Sequence, residues 1–271
     1  MPKIPQKYHA IDEEQGIHEK QGIHESIIQA QHIESLESLE LDATIINGLT
    51  PQPTRKSFIT KVYSILWAQL VVTSIFIGCC NQIQPLQTFM MSPIGITLMW
   101  VSMVSLLILT CALHCLRNNI KTCPCSGIYL TIFTIFSTYI LGSVGIVYKL
   151  STLLLAGLST LGIFSGLTLY AIQTKYDYTD KGGYLVALLL GFIMFGFFVS
   201  FTHYSAVSIV YSSLGSLIFS FYIVYDTQLI VGGEHRKIMF HIDDYVLAAV
   251  SLYLDIINLF LMLLDLMNGR N

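Results

Sequence analysis

Two carboxylates sit where a charge is expensive: Asp226 in YIVYDTQLIVGG and Asp255 in SLYLDIINLFLMLLDL, each inside a long apolar run near the C-terminus. An Asp at the centre of a spanning helix costs roughly 2.5 to 3.5 kcal/mol on insertion scales, so two of them call for a partner or a function. They are expected to partner each other. With a helical rise of about 1.5 Å per residue, Asp226 lies roughly 9 Å from the end of its helix at Gly232, and Asp255 roughly 16 Å beyond Asp244. Helices joined by a short loop are usually antiparallel neighbours, which brings both carboxyls to similar depth. Two carboxyls at hydrogen-bonding distance in a low-dielectric site cannot both ionise easily, so the pair should keep one proton. That proton would latch the two helices. Its loss would leave oxygens that repel each other or attract a hard divalent cation, with carbonyl and water oxygens completing the shell. Asn258, one turn beyond Asp255 on the same face, is an accessory candidate, and Arg117 is a candidate lock on the cytosolic side. The alternative is a purely structural hydrogen-bonded pair.

The elements that would position this pair follow from composition. The chain has 271 residues, of which 54% are hydrophobic and 11% charged, with a mean hydropathy of +0.64. Such a composition belongs to a multi-pass membrane protein. Charge is uneven: nine acidic and three basic residues precede Arg55, giving a tail of −6 and leaving a body of +3. Residues 1–54 contain four histidines, little to bury and an echoed QGIHE at Gln15 and Gln21. They read as a disordered, acidic, cytosolic tail. The tail lacks a signal-peptide pattern, so the first span should direct insertion.

Residues 55–271 read as an all-α membrane domain. Seven apolar segments long enough to cross roughly 30 Å of hydrocarbon follow Pro51 and Pro53. They run Val62 to Cys80, Ile94 to Leu116, Ser126 to Tyr148, Thr152 to Thr174, Tyr184 to Phe201, Val207 to Val231, and Tyr245 to Met267. Basic residues should favour cytosolic loops. Arg55, Lys56, Lys61, Arg117, Lys121, Lys175, Lys181, Arg236 and Lys237 fall on one side, and Lys149 and Arg270 on the other, which puts the N-terminus in the cytosol. A re-entrant last segment would return Arg270 to the cytosol, and charge counting leaves both paths open.

Loops this short hold no soluble domain, and no phosphate-cradling loop, nucleotide fingerprint or nucleic-acid-binding stretch occurs. The protein is therefore expected not to be an enzyme, to need no cofactor and to bind no nucleic acid. Gly162 and Gly166 frame a GxxxG pair that should let helices approach closely, rather than a serine nucleophile at Ser165. Ser212, Ser213, Gly215, Ser216 and Ser220 make the sixth segment small-sided, so the sixth and seventh helices should touch. Cys111, His114 and Cys115 share a helix face, yet lack a fourth metal ligand.

KVYSILWAQL from Lys61, QTKYDYTDKGG from Gln173, YDTQLIVGG from Tyr225 and DDYVLAAVSLYLDIINLFLMLL from Asp243 resemble the transmembrane Bax inhibitor motif family, lifeguard branch, over Arg55 to about Asp265. The resemblance implies a seven-transmembrane-helix bundle with a central C-terminal helix, in endoplasmic reticulum or Golgi membranes. It further implies pH-dependent calcium leak and suppression of apoptosis, with Asp226 and Asp255 as pH sensor and gate. Some members carry an acidic residue in the third span, where this chain has Ser137. The family's Ser-Pro-Glu-Glu-Tyr is replaced by His241, Ile242, Asp243, Asp244 and Tyr245, which keeps an acidic helix start. The expected function is a pH-sensitive calcium leak channel that binds calcium transiently at Asp226 and Asp255. The competing class is a nonconducting regulator of death receptors or calcium-release channels. Expected partners are calcium, the lipid bilayer, and apoptosis regulators or calcium-release channels.

Overall fold

Seven helices long and apolar enough to cross a membrane account for most of the chain from Thr54 onward. The computed structural model describes residues 52–115, 125–201, 204–233 and 236–268. Arg117, Arg270 and all but the last three residues of the 1–54 tail lie outside them. Among the described residues every regular element is helical: α1 (Gln52–Gln82), α2 (Gln84–Met91), α3 (Pro93–Cys115), α4 (Cys125–Gly145), α5 (Leu150–Gln173), α6 (Gly182–Val199), α7 (Ser205–Val231) and α8 (Tyr245–Asn268). Single 3-10 turns at Thr179–Lys181 and Ile242–Asp244 lead into α6 and α8.

The apolar segments and the helices coincide except at two places. α1 starts ten residues before Val62, and two of the charged side chains in its first turns reach partners in the bundle. Arg55 donates to the carbonyls of Leu229 (2.7 Å), Val231 (3.3 Å) and Phe240 (2.7 Å), and Lys61 lies over the Tyr245 ring at 3.3 Å. The second difference is α2, a short amphipathic helix between α1 and α3 that hydropathy alone does not register. Ser92 turns the chain out of it, donating to Phe89 O and accepting from Gly95 N, and Pro93 opens α3. This is the usual chemistry of a helix start. Gly95 is required at the corner, since a Cβ there would lie 2.5 Å from Met90 O.

α8 is the central helix. Fifty-six percent of its apolar window is buried, against 11 to 33% for the other six spans, and it packs on α7, α5 and α1. Ala248 and Ala249 admit its neighbours closely, while Leu252, Tyr253, Ile256 and Leu259 fill the core with Val62, Leu66, Phe133 and Ile223. The outward surface is equally apolar: Trp67, Ile75, Leu107, Leu158 and Phe198 are all exposed. Such a face suits lipid rather than water. α8 is also unbroken from Tyr245 to Asn268, with no re-entrant turn.

Because lipid offers no hydrophobic drive between helices, association rests on close packing and interhelical hydrogen bonds. α1 and α4 use both. Gln69 Nε2 donates to Thr134 Oγ1 (2.9 Å), Thr73 Oγ1 pairs with Thr138 Oγ1 (3.1 Å) and the Tyr253 hydroxyl (2.9 Å), and Asn81 Nδ2 donates to Gly145 O (3.1 Å). At Gly142 a Cβ would fall 2.6 Å from the Phe76 ring. The GxxxG pair at Gly162 and Gly166 does not do this: a Cβ on either would meet nothing within 4 Å. Their face of α5 is exposed, so the expected close approach occurs instead at Gly142, Gly145 and Gly215.

Candidate functional site

Asp226 and Asp255 meet. Asp226 lies on α7 five residues before its C-terminus, Asp255 lies in the eleventh position of α8, and the two helices pack against each other along an antiparallel seam. The expected contact between the sixth and seventh spans is present, and the small face of α7 makes it close: at Gly215 a Cβ would lie 2.6 Å from Met262 Sδ and 2.6 Å from Phe192 Cζ. The carboxyls are 6% and 7% exposed, close enough to act on each other, and line one cavity together. No N–H or hydroxyl donor among the described residues reaches Asp255 Oδ2. Two carboxyls this close can hydrogen-bond to each other only with a proton on one of them.

The pair borders a cavity of about 490 Å³ between α6, α7 and α8, lined also by Tyr222, Ser251, Asn258 and Met262. Asn258 thus stands where its spacing from Asp255 places it. Its Nδ2 donates to Leu254 O (2.8 Å), which leaves Oδ1 as the acceptor it can offer. Arg117 lies outside the described residues. The described residues contain no group of three or more His, Cys, Asp or Glu able to hold a metal ion. The pair offers up to four carboxylate oxygens, fewer than the six to eight that a calcium ion favours, so such an ion would need water to complete its shell here.

Two arginines close the end of the bundle nearest Asp226. Arg55 takes the last carbonyls of α7, and Arg236 donates to Ala171 O (3.1 Å), Thr174 O (2.7 Å) and Tyr176 O at the end of α5. Cations there satisfy orphan carbonyls and oppose the negative ends of two helix dipoles. Gln228, two residues after Asp226, receives Tyr178 N (2.8 Å) and donates to Tyr176 O (3.0 Å). Asp177 accepts from Thr179 N, Thr179 Oγ1 and Lys237 N. Burial alone would lift its carboxyl, but those bonds and the charge of Arg236 outweigh it and hold the group below the usual carboxylate range. Sequence reading missed this clasp, although two arginines just outside apolar spans were a signal for it. It also missed Asp265, which accepts from Ser208 and Ser212 at the opposite end of the seam.

A family model described as "Bax1-I: Inhibitor of apoptosis-promoting Bax1" matches residues 55–271. The chain is 34% identical over 217 residues to Protein lifeguard 4 of Mus musculus, covering 80% of this chain and 87% of that protein. It is 29% identical over 221 residues to Protein lifeguard 3 of Homo sapiens, covering 80% and 70% respectively. Protein lifeguard 3 of Mus musculus is similar at 28% over 221 residues, with the same coverage. The matched region contains every candidate residue named above and omits the acidic tail.

Proposed function

The chain belongs to the Bax1-I family, and from that premise we propose that it is a proton-sensitive calcium leak channel of an intracellular membrane, the endoplasmic reticulum or Golgi, with its N-terminus in the cytosol. The observation that carries this reading is the pair of buried carboxyls, close enough to act on each other, at the edge of a cavity inside a lipid-facing bundle. A proton shared between Asp226 and Asp255 joins α7 to α8 and leaves the pair with one negative charge instead of two. When the proton leaves, two carboxylates face each other in a medium where like charges repel far more strongly than in water. The helices then separate, or a partly hydrated calcium ion neutralises the pair while Asn258 Oδ1 and the Tyr222 hydroxyl supply further oxygens. A store emptied slowly in this way has less calcium to release, which links the leak to an anti-apoptotic role.

The test is flux from sealed liposomes containing the purified full-length protein and a calcium dye. The wild type is expected to leak calcium unaided and with a pH dependence. Asp255→Asn supplies an amide donor at every pH, so its leak should lose most of that dependence. A silent wild-type protein would overturn the channel and favour a nonconducting regulator of death receptors or calcium-release channels. A leak with the same pH profile in Asp255→Asn would remove the pair from the gate.

A further inference from the structure

Beside the two carboxyls, one further polar side chain at the cavity stands buried and unpartnered. Tyr222 lies on α7 one turn before Asp226, a spacing that puts both on one face of the helix. It lines the cavity of about 490 Å³ together with Asp226, Asp255 and Asn258. Its ring sits beside Phe219, with centroids 6.4 Å apart. The Tyr222 hydroxyl is buried and no hydrogen-bond partner reaches it among the described residues, and Asp255 Oδ2 is in the same condition. A donor on α7 and an acceptor on α8, each without a partner, therefore border one cavity. They are close enough for the charges of Asp255 and Asp226 to act on the phenol.

A buried tyrosine hydroxyl ordinarily finds a partner, and a phenylalanine would fill the same space without leaving a polar group idle. The two protonation states of the pair give the hydroxyl its occasion. While one proton is shared, each carboxyl has a partner in the other. Once that proton leaves, both carboxylates are acceptors only and need a donor from elsewhere. The other groups around the cavity are engaged or misplaced. Asn258 Nδ2 is bonded to Leu254 O. The hydroxyls of Tyr225 and Tyr211 reach toward α6, where a Cβ on Gly182 or Gly196 would lie 2.5 and 2.6 Å from them. Neither α5 nor α6, which pack against α7, contains a charged residue. Ser251 is the remaining hydroxyl in the lining, and it is only part-buried.

We propose that Tyr222 is a positioning residue of the aspartate pair: its hydroxyl donates to Asp255 Oδ2 when the pair gives up its shared proton. The phenol keeps its own hydrogen, and the departing proton goes to water in the cavity. A donor that serves only the ionised pair favours that state, so Tyr222 sets the pH at which the latch opens. It also keeps α7 joined to α8 one turn along while the carboxyls part, and its oxygen retains lone pairs for a cation. As part of a gate this role rests on the channel reading above; as a hydrogen bond to the ionised pair it does not.

The test is infrared difference spectroscopy of the full-length protein in liposomes as pH is varied, with calcium flux measured in parallel. The carboxylic C=O band that Asp255→Asn abolishes reports the pair. In Tyr222→Phe its midpoint is expected to rise by about one pH unit, since a hydrogen bond to a charged group is worth that much or more. Ser251→Ala should leave the midpoint in place. In wild-type protein carrying ring-labelled tyrosine, a phenol C–O band should shift over the same pH range. A phenol that merely fills space would move neither band. Should Tyr222→Phe not fold, the labelled wild type decides alone, and an unchanged tyrosine band overturns the proposal. So does a carboxyl band that does not titrate, or one with the same midpoint in Tyr222→Phe. A wild type that passes no calcium, with the carboxyl midpoint still raised in Tyr222→Phe, would sink the channel and keep the role of Tyr222. A pH-dependent leak with both midpoints unmoved in Tyr222→Phe would do the reverse.

Discussion

At the scale of single residues, the aspartate pair separates two kinds of loss. Asp255→Asn keeps a polar partner for Asp226, because the amide can donate where the shared proton did. Asp255→Leu removes the partner and leaves a carboxyl that is 6% exposed with nothing to share its proton. Leaving a buried polar group without its hydrogen-bond partner costs about 1 to 3 kcal/mol. Thermal unfolding in detergent should therefore show Asp255→Asn within a few degrees of the wild type and Asp255→Leu far below it. Equal Tm values for the two variants would mean that the carboxyls do not depend on each other. This pair was legible in the sequence because a carboxylate in the middle of an apolar run has no solvent to explain it. Asp265 was not, since a carboxylate near a helix end reads as ordinary interface. Only the three-dimensional placement of Ser208 and Ser212 distinguishes it.

At the scale of elements, hydropathy located every span but assigned α1 too late and α2 not at all. The reason is physical in both cases. Arg55 and Lys61 are charged, so a hydropathy window rejects them, yet carbonyls and an aromatic ring hold them inside the helix. Small residues mislead in the opposite direction: spacing alone cannot say whether Gly142 or Gly162 meets a neighbour, and only Gly142 does. The clasp between the α5–α6 loop and the segment after α7 carries its own pH dependence. Asp177 titrates below the usual carboxylate range in the folded protein, so its contribution is present above the unfolded value near 4 and lost as pH falls through the lower, folded one. Asp177→Ala removes the contribution at every pH. With solvent screening it is worth about 1 kcal/mol, equivalent to roughly fivefold faster amide exchange. Exchange at Thr179 and Lys237, measured by mass spectrometry, should be faster by that factor in the variant at neutral pH, and the difference should vanish once the pH is low enough to protonate Asp177 in the folded protein. A difference that persists in acid would show that Asp177 acts without its charge.

At the scale of the whole molecule, the bundle sorts its charge by end, and the sorting predicts how it sits in a membrane. Arg55, Lys56, Lys61, Lys175, Lys181, Arg236 and Lys237 all lie at or near the end where α1 begins and α7 stops; Lys149 lies at the other, between α4 and α5. Local partners account for only part of this asymmetry: the Lys237 side chain is 71% exposed, with Asp180 its ion-pair partner among the described residues. Retention of basic loops in the cytosol accounts for it under the orientation proposed above, with this end of the bundle toward the cytosol. α8 runs unbroken beside α7, so among the described residues seven spans separate Thr54 from Asn268, and a bundle whose spans all cross puts these two residues on opposite sides. The measurement uses single cysteines in a cysteine-free background and a membrane-impermeant maleimide applied to sealed organelle vesicles with the cytosolic face outward. Lys175→Cys and Lys237→Cys are expected to label at once. Lys149→Cys and Tyr204→Cys, both at exposed positions on the other end, should label only after the vesicles are opened. Labelling of Lys237→Cys and Tyr204→Cys from the same face would mean that α7 does not cross, and the aspartate pair would then lie outside any route through the bilayer. Reversal of all four together would leave the bundle intact and place the Asp265 end, rather than the Asp226 end, toward the cytosol.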